Sequence, residues 1–197
     1  MKETPIFEEV FNRLLKLPGY WVNLLIGGLL SFVPIVNLFA FGYLFRLSHA
    51  VRRSGQPVLP AWRDWSGLFQ DGLRFAVVWL GYWLLPILCA CFVTWLMACI
   101  GLGALSNIFL LSVVLLATLL FSSALYRYNM RKDFKDLLDF ALILRMTRME
   151  WPRLLVPALV FLGMMVLFLP FYGFAIFAGF LMMITYTSLR FRSLEQS

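Results

Sequence analysis

The sequence predicts an all-α integral membrane protein made of three units, each combining an amphipathic surface helix with a transmembrane or re-entrant helical hairpin. The composition is the first reason: 62% of the 197 residues are hydrophobic and 14% are charged, whereas soluble proteins carry about 25% charged residues. A soluble fold must cover its surface with polar groups, and 17 basic and 10 acidic side chains are too few for that. We expect one membrane domain that covers residues 1–197.

The second reason is the distribution of the charges. Every charged residue lies in one of four clusters, which cover residues 2–16, 46–74, 127–153 and 190–195. The uncharged stretches between them cover residues 17–45, 75–126 and 154–189. A charge at the middle of a bilayer costs about 2.5–3.5 kcal/mol, so the uncharged stretches are the predicted membrane segments.

Two of these stretches are too long for one helix, since a single span needs about 20 residues. Residues 75–126 are interrupted by Gly101, Gly103 and Asn107, which favour a turn. Residues 154–189 contain Pro170, which offers a turn near the middle. Each stretch therefore predicts a helical hairpin.

The first stretch, residues 17–45, fits a hydrocarbon core of about 30 Å poorly, either as one helix of about 43 Å or as two legs of about 21 Å each. The distribution of basic residues favours the hairpin, because all four clusters then share the cytoplasmic face and both termini are cytoplasmic. We predict a short or re-entrant hairpin that turns at Val33, Pro34 and Asn37. A single tilted span is the alternative.

An amphipathic segment precedes each hairpin, which suggests units of about 4–47, 57–128 and 133–190. The first surface helix has the clearest pattern, with an apolar stripe of Ile6, Phe7, Val10, Phe11, Leu14 and Leu15. The second is predicted at Trp62–Gly72 and the third at Asp133–Glu150. We expect these helices to lie on the membrane surface.

The candidate contacts to lipid or a partner are basic and aromatic residues that lie outside the apolar stretches. They are Trp62, Arg63, Asp64, Trp65, Arg52, Arg53, Arg145, Arg148 and Trp151. The densest group lies in the loop from Pro57 to Gly72, which is interpreted as a docking surface for a lipid headgroup or a partner. The alternative is structural: prolines that fix a turn, an aspartate at a helix start and tryptophans that anchor the chain at the membrane interface.

The same region resembles a known family. The residues that carry the resemblance are Gly42, Tyr43, Leu44, Arg46, Gly55, Pro57, Leu59, Pro60, Trp62, Asp64, Trp65, Leu68, Phe69, Asp71 and Gly72. Over about residues 26–85 the chain is similar to the prokaryotic membrane proteins grouped as domain of unknown function 4013, whereas the rest matches in hydropathy only. Gln56 and Arg63 depart from acidic residues that are common in relatives. The resemblance implies a multi-pass helical protein of a prokaryotic cytoplasmic membrane and no catalytic residue.

Several classes of protein are disfavoured by what the sequence lacks. No ionisable side chain lies inside an apolar stretch, which argues against proton-coupled pumps and many ion-coupled transporters. No hydrolase, phosphate-binding or zinc-protease motif is present, so we expect no enzyme, no cofactor and no metal site. Cys89, Cys91 and Cys99 are interpreted as small buried apolar residues, and His49, the single histidine, as a solvated surface residue.

The sequence thus predicts a non-enzymatic membrane scaffold or accessory subunit whose cytoplasmic helices engage anionic lipid or a partner protein. Its partners would be the lipid bilayer, further copies of the chain or a larger membrane complex, and not nucleic acid. The alternative is a passive channel or carrier for a neutral or apolar solute, because Pro34, Pro86, Pro157 and Pro170 could break helices to line a cavity.

Overall fold

The structure, a computed structural model, describes residues 6–131 and 133–195, and in these residues all regular elements are helical. Nine α-helices follow one another: α1 (Phe7–Leu15), α2 (Tyr20–Ser31), α3 (Asn37–Ser54), α4 (Trp65–Trp79), α5 (Leu85–Cys99), α6 (Gly103–Arg131), α7 (Lys135–Leu138), α8 (Phe140–Leu167) and α9 (Tyr172–Glu195). A π-helical turn at Leu80–Leu84 joins α4 to α5, and a 3₁₀ turn at Leu169–Phe171 precedes α9.

Four helical segments in the described residues are long and apolar enough to cross a membrane. They are Trp65–Cys99, which contains α4, the π turn and α5, followed by Gly103–Met130, Phe140–Leu167 and Leu169–Glu195. Their lengths of 27 to 35 residues exceed the roughly 20 that one span needs. These segments indicate a multi-pass membrane protein.

The turns of the two longer predicted hairpins lie where the sequence breaks its apolar runs. The helix before the second turn ends at Cys99, and Gly101 there has a φ of +84°, a conformation that glycine adopts without steric cost. The third turn follows Leu167, and the 3₁₀ segment that contains Pro170 forms it. Both predicted hairpin turns are confirmed.

Residues 17–45 form a hairpin as well, because α2 and α3 run in opposite directions against α9. Along α2, Gly27 faces Phe177 and Gly28 faces Phe174, so α2 is antiparallel to α9. Along α3, the Tyr43 ring lies 5.7 Å from that of Phe177, and Ser48 is hydrogen-bonded to Ser188 further along α9. The turn between α2 and α3 lies at residues 32–36, so the alternative of one tilted span is wrong.

The first predicted surface helix is confirmed as an amphipathic helix. In α1 the side chains of Val10 and Leu14 are buried, whereas the polar residues between them are exposed. The helix meets α2 at an angle of 94° and packs against α9, where the Phe7 ring lies 5.5 Å from that of Tyr186. Residues 4 and 5, the start of the first predicted unit, lie outside the described residues.

The second and third predicted surface helices are not separate elements. Trp65 begins a helix that runs to Cys99 without a bend large enough to separate its two parts, so Trp62–Gly72 holds the end of a loop and the first two turns of a span. Asp133–Glu150 contains the short α7 and the first half of α8, which continues through Pro152 and Pro157. The helix that begins at Trp65 and helix α8 each continue from the predicted surface segment into the apolar run. The threefold repeat stays a prediction.

Helices α3 and α4 cross in direct backbone contact. A Cβ atom added to Gly42 would lie 1.9 Å from the carbonyl oxygen of Leu68, and one added to Gly72 would lie 1.9 Å from that of Leu38. Gly42 therefore faces the carbonyl of the residue four positions before Gly72, and Gly72 faces the carbonyl of the residue four positions before Gly42. This approach is open only to residues without a side chain.

An aromatic core joins four of the long helices, and its α4 member, Phe75, follows Gly72 along the helix. The Phe75 ring of α4 lies 5.5 Å from Phe121 of α6 and 5.8 Å from Phe180 of α9, and Phe180 lies 4.6 Å from Phe161 of α8. All four side chains are buried. One ring from each of four helices thus meets at the centre, and such pairs contribute about 0.5–1.5 kcal/mol beyond their buried area.

We expect the substitution Gly72→Ala to destabilise the protein by about 1–3 kcal/mol, because the added methyl group overlaps a backbone oxygen that cannot rotate away. The matched control is Gly163→Ala in α8, where an added Cβ meets no atom within 4 Å. Thermal unfolding in detergent, followed by loss of the monodisperse species, measures both variants. Equal unfolding midpoints for the two variants would show that the backbone contact does not limit stability.

Candidate functional site

Ion pairs join separate parts of the chain at one end of the bundle. Arg46 pairs with Asp64 and Asp71 within the second charge cluster, and Arg127 pairs with Asp136 within the third. Arg52–Glu195 joins the second cluster to the fourth, and Glu150–Arg190 joins the third to the fourth. The same end holds α1 of the first cluster, whose Val10 packs with Tyr126, Leu154 and Phe191. We call this region the charged end; it contains members of all four clusters.

Arg46 of α3 is the centre of one polar cluster at the charged end. Its Nε donates to Asp71 Oδ2 at 2.9 Å, its Nη1 to the carbonyl of Arg63 at 2.8 Å, and its Nη2 to Asp64 Oδ2 at 3.0 Å. Every guanidinium nitrogen therefore binds the loop before α4 or the first turns of that helix. We call Arg46, Asp64 and Asp71 the Arg46 cluster.

Asp64 both caps α4 and pairs with Arg46. Its backbone lies in the left-handed region at a φ of 57°, and its carboxylate accepts a hydrogen bond from the Gly67 N–H at 3.1 Å. The Gly67 N–H and the Arg46 guanidinium hold the pKa of the Asp64 carboxyl below its ordinary value. The stability that these bonds contribute is present above the ordinary aspartate pKa of about 3.9 and is lost as the pH falls through the lowered pKa.

The two tryptophans of the predicted docking loop have different surroundings. Trp62 is half-buried, stacks on Tyr43 with ring centroids 4.2 Å apart, and donates from Nε1 to Asn23 Oδ1 at 2.7 Å. Trp65 keeps 49% of its surface exposed, with its ring 5.5 Å from that of Phe39. Trp62 therefore holds the loop against α2 and α3, while Trp65 is available to lipid or a partner.

Arg52 and Arg53 lie in the last turn of α3 and line a pocket of about 280 Å³ together with His49, Arg192 and Glu195. The pocket lies where the C-terminal ends of α3 and α9 meet. Arg52 is 3.5 Å from Glu195, and its guanidinium lies 5.5 Å from the centre of the Tyr126 ring. His49 is exposed, as predicted, on the pocket wall.

Arg145, Arg148 and Trp151 lie on α8, which packs against α6 and α9. All three side chains are exposed. The predicted contact residues thus fall in three places: the loop before α4, the end of α3 and the outer surface of α8. The structure brings Trp62, Asp64 and Trp65 together, and a role for any of the nine residues in binding lipid or a partner stays a prediction.

A buried ion pair between α8 and α9 was not predicted from the sequence. Arg190 donates to both oxygens of Glu150, from Nε at 2.6 Å and from Nη2 at 3.1 Å, and both residues are at most 4% exposed. Each residue lies at the edge of an apolar stretch, 40 positions from the other. No local pattern links them, so only the packing of α8 against α9 reveals the pair.

The prediction of buried cysteines is wrong. Cys89, Cys91 and Cys99 are exposed on the outside of α5, because α5 packs on α6 along one side only and leaves most of its apolar surface uncovered. In the described residues, no group of three or more His, Cys, Asp or Glu side chains could hold a metal ion.

All three residues of the Arg46 cluster are among those on which the family resemblance rests. The sequence model of a family described as protein of unknown function (DUF4013) matches residues 26–187. The chain belongs to this family. The DUF4013 match extends into α9, well beyond the residues 26–85 that carry the resemblance. No curated protein and no solved structure matches the chain.

In this DUF4013 protein the motif residues contact one another although they are far apart in sequence. Gly42 and Gly72 form the helix crossing, and Arg46 binds Asp64 and Asp71 beside it. Asp64 was among the predicted contact residues, whereas Arg46 was named only as a residue that carries the family resemblance. Its place in that motif, four positions after Gly42, was the signal that could have identified it.

We expect Arg46→Lys to destabilise the protein by about 1–3 kcal/mol even though it keeps the charge, because an ammonium group cannot reproduce the three divergent contacts of the guanidinium. Arg145→Lys on the exposed face of α8 is the matched control and should leave the unfolding midpoint unchanged. If both variants unfold at the wild-type midpoint in detergent, the geometry of the Arg46 cluster does not contribute to stability.

Proposed function

We propose that this DUF4013 protein is a non-enzymatic membrane scaffold or accessory subunit whose charged end lies at the cytoplasmic face and engages anionic lipid or a partner protein. One observation supports the proposal above the others: members of all four charge clusters lie at the same end of the helix bundle. The opposite end, which contains the turns at residues 32–36, 100–102 and 168–171, is uncharged.

The sign of the charge supports a cytoplasmic location. The chain has 17 basic and 10 acidic residues, for a net charge of +7, and basic residues are enriched on the cytoplasmic side of membrane proteins. Each Lys or Arg near an anionic leaflet contributes about 1 kcal/mol of attraction. With the charged end inside, both termini are cytoplasmic and no charged residue has to cross the membrane.

The surface of the charged end has two further features of a membrane interface. Helix α1 lies at 94° to α2, the orientation expected of an amphipathic helix in the plane of the interface beside a helix that enters the membrane. Trp65 and Trp151 keep 49% and 51% of their surfaces exposed, and tryptophan is enriched at the headgroup level. These features support contact with lipid headgroups.

A passive channel or carrier is not favoured by the same geometry. The pocket described above lies at the charged end and is lined by three arginines, a histidine and a glutamate. Such a lining suits an anion and not a neutral or apolar solute, so this pocket does not support the alternative of a channel or carrier.

Cysteine labelling tests the orientation. In a chain whose native cysteines are replaced by alanine, we expect Asn107→Cys to react with a membrane-impermeant maleimide added outside intact cells, because Asn107 is exposed near the uncharged turn. Asn12→Cys, on the exposed face of α1, should react only after the membrane is permeabilised. Labelling of Asn12→Cys in intact cells would place the charged end outside and contradict the proposal.

Lipid analysis of the protein extracted from native membranes with a styrene–maleic acid copolymer tests the engagement itself. We expect anionic phospholipid to be enriched several-fold over the bulk membrane, and the double variant Arg145→Gln/Arg148→Gln to lose part of that enrichment. Arg145→Lys/Arg148→Lys is the charge-preserving control and should behave as the wild type. A lipid composition equal to the bulk membrane, with no co-purifying protein and no self-association by cross-linking, would contradict the proposal.

A further inference from the structure

The pocket at the ends of α3 and α9 has the composition of an anion-binding site. Three guanidinium groups, those of Arg52, Arg53 and Arg192, face one carboxylate, that of Glu195. Its volume of about 280 Å³ is well above that of a single phosphate group. The balance of charge in the lining is positive, and the single carboxylate lies 3.5 Å from Arg52 Nη2, too far for a strong hydrogen bond.

Two of these arginines have donors that the protein does not satisfy. Arg52 Nε and Arg192 Nη1 are both buried, and neither has a hydrogen-bond partner in the described residues. A buried donor without a partner costs free energy, and the cost is larger for a charged group. The two guanidinium groups come from different helices, so the packing of α3 against α9 holds them around one space.

The position of Arg192 is set by the end of α3. Gly55 ends that helix with a φ of +74°, and a Cβ atom added there would lie 2.3 Å from Arg192 Nη1. The absence of a side chain at Gly55 thus leaves the room that this guanidinium occupies. Gly55 is one of the residues that carry the family resemblance, and the room that Arg192 needs is a reason for a glycine at this position.

The ends of the two helices explain why basic residues lie here, but not why their donors are unpaired. The free carbonyls at a helix C-terminus attract cations, and a guanidinium that only served this purpose would donate to those carbonyls. Arg52 Nε and Arg192 Nη1 do not. What the pocket itself shows is an excess of positive charge, three guanidinium groups to one carboxylate, that an anion would balance.

We propose that this pocket binds a phosphate group between the guanidinium groups of Arg52 and Arg192, with Arg53 at the rim. Arginine binds phosphate through paired N–H donors in a planar fork. The phosphate can belong to an anionic phospholipid headgroup or to a soluble phosphate compound. The lipid form of this proposal rests on the function proposed above, whereas the phosphate chemistry does not.

The depth of the pocket favours the lipid headgroup. The Arg52 guanidinium lies over the ring of Tyr126, and Tyr126 is the last residue of the uncharged stretch 75–126. A tyrosine at such a boundary lies at the level of the headgroups. The pocket is therefore placed where lipid phosphates are found.

Binding to the full-length protein in a neutral detergent tests the proposal. The probes are dihexanoyl phosphatidylglycerol, dihexanoyl phosphatidylcholine with the same acyl chains, and inorganic phosphate, each titrated by calorimetry. We expect phosphatidylglycerol to bind and the double variant Arg52→Gln/Arg192→Gln to bind it at least about tenfold more weakly. The control is Lys135→Gln, which removes a positive charge from an exposed position on α7 that does not line the pocket and should bind like the wild type.

A milder variant keeps the test informative if the double variant does not fold. Arg53 is exposed at the rim, and Arg53→Gln should weaken binding a few-fold without changing the unfolding midpoint. Binding of inorganic phosphate that is weakened by the pocket variants would support the phosphate site and assign it to a soluble ligand. No binding of any probe, or equal losses in the pocket and control variants, would overturn the proposal.

The results separate this inference from the proposed function. The pocket variants can keep the enrichment of anionic lipid in native membranes. That result would support the proposed function and contradict the lipid form of the pocket proposal. Binding of inorganic phosphate at the pocket, together with a lipid composition equal to the bulk membrane, would support the pocket and contradict lipid engagement.

Discussion

The backbone contact between α3 and α4 at Gly42 and Gly72 is the constraint on which the charged end depends. Each glycine lies against a carbonyl oxygen of the other helix, so the helix axes approach as closely as two backbones permit. At this separation Arg46, one turn after Gly42, reaches both Asp71 and Asp64 with hydrogen bonds of 3.0 Å or less. A side chain at either glycine would force the helices apart and break these contacts.

The charges at this end are arranged in pairs at the boundary of the apolar bundle. The Glu150–Arg190 pair is almost fully buried between α8 and α9, where an isolated charge would be costly and a paired, hydrogen-bonded one is tolerated. The pairs that join α3 to α4 and α6 to α7 are more exposed and contribute less. Five of the chain's ten acidic residues lie in ion pairs between described residues, namely Asp64, Asp71, Asp136, Glu150 and Glu195. Basic residues outnumber them, and the excess lies at the surface and in the pocket between α3 and α9.

The family motif marks this junction. Its members include the two glycines of the crossing, the three residues of the Arg46 cluster, and Trp62, which binds Asn23 of α2. Together they lock the short α2–α3 hairpin and the loop before α4 against the first long helix. Gly55 extends the motif to the pocket, because its missing side chain makes room for Arg192 of α9.

The sequence by itself determined the helical class, the two longer hairpin turns, the amphipathic first helix and the grouping of charges, because hydropathy and charge spacing are local properties that a bilayer constrains strongly. It did not determine that Trp62–Gly72 leads into a continuous helix or that the three cysteines are exposed. It also did not determine that Arg46 binds Asp64 and Asp71, or that Arg190 binds Glu150. Those outcomes depend on which helices pack together, and the residues involved are 18 to 40 positions apart. The pocket has the same origin: Arg52 and Arg192 meet only because α3 and α9 end side by side, a juxtaposition that tertiary packing alone decided.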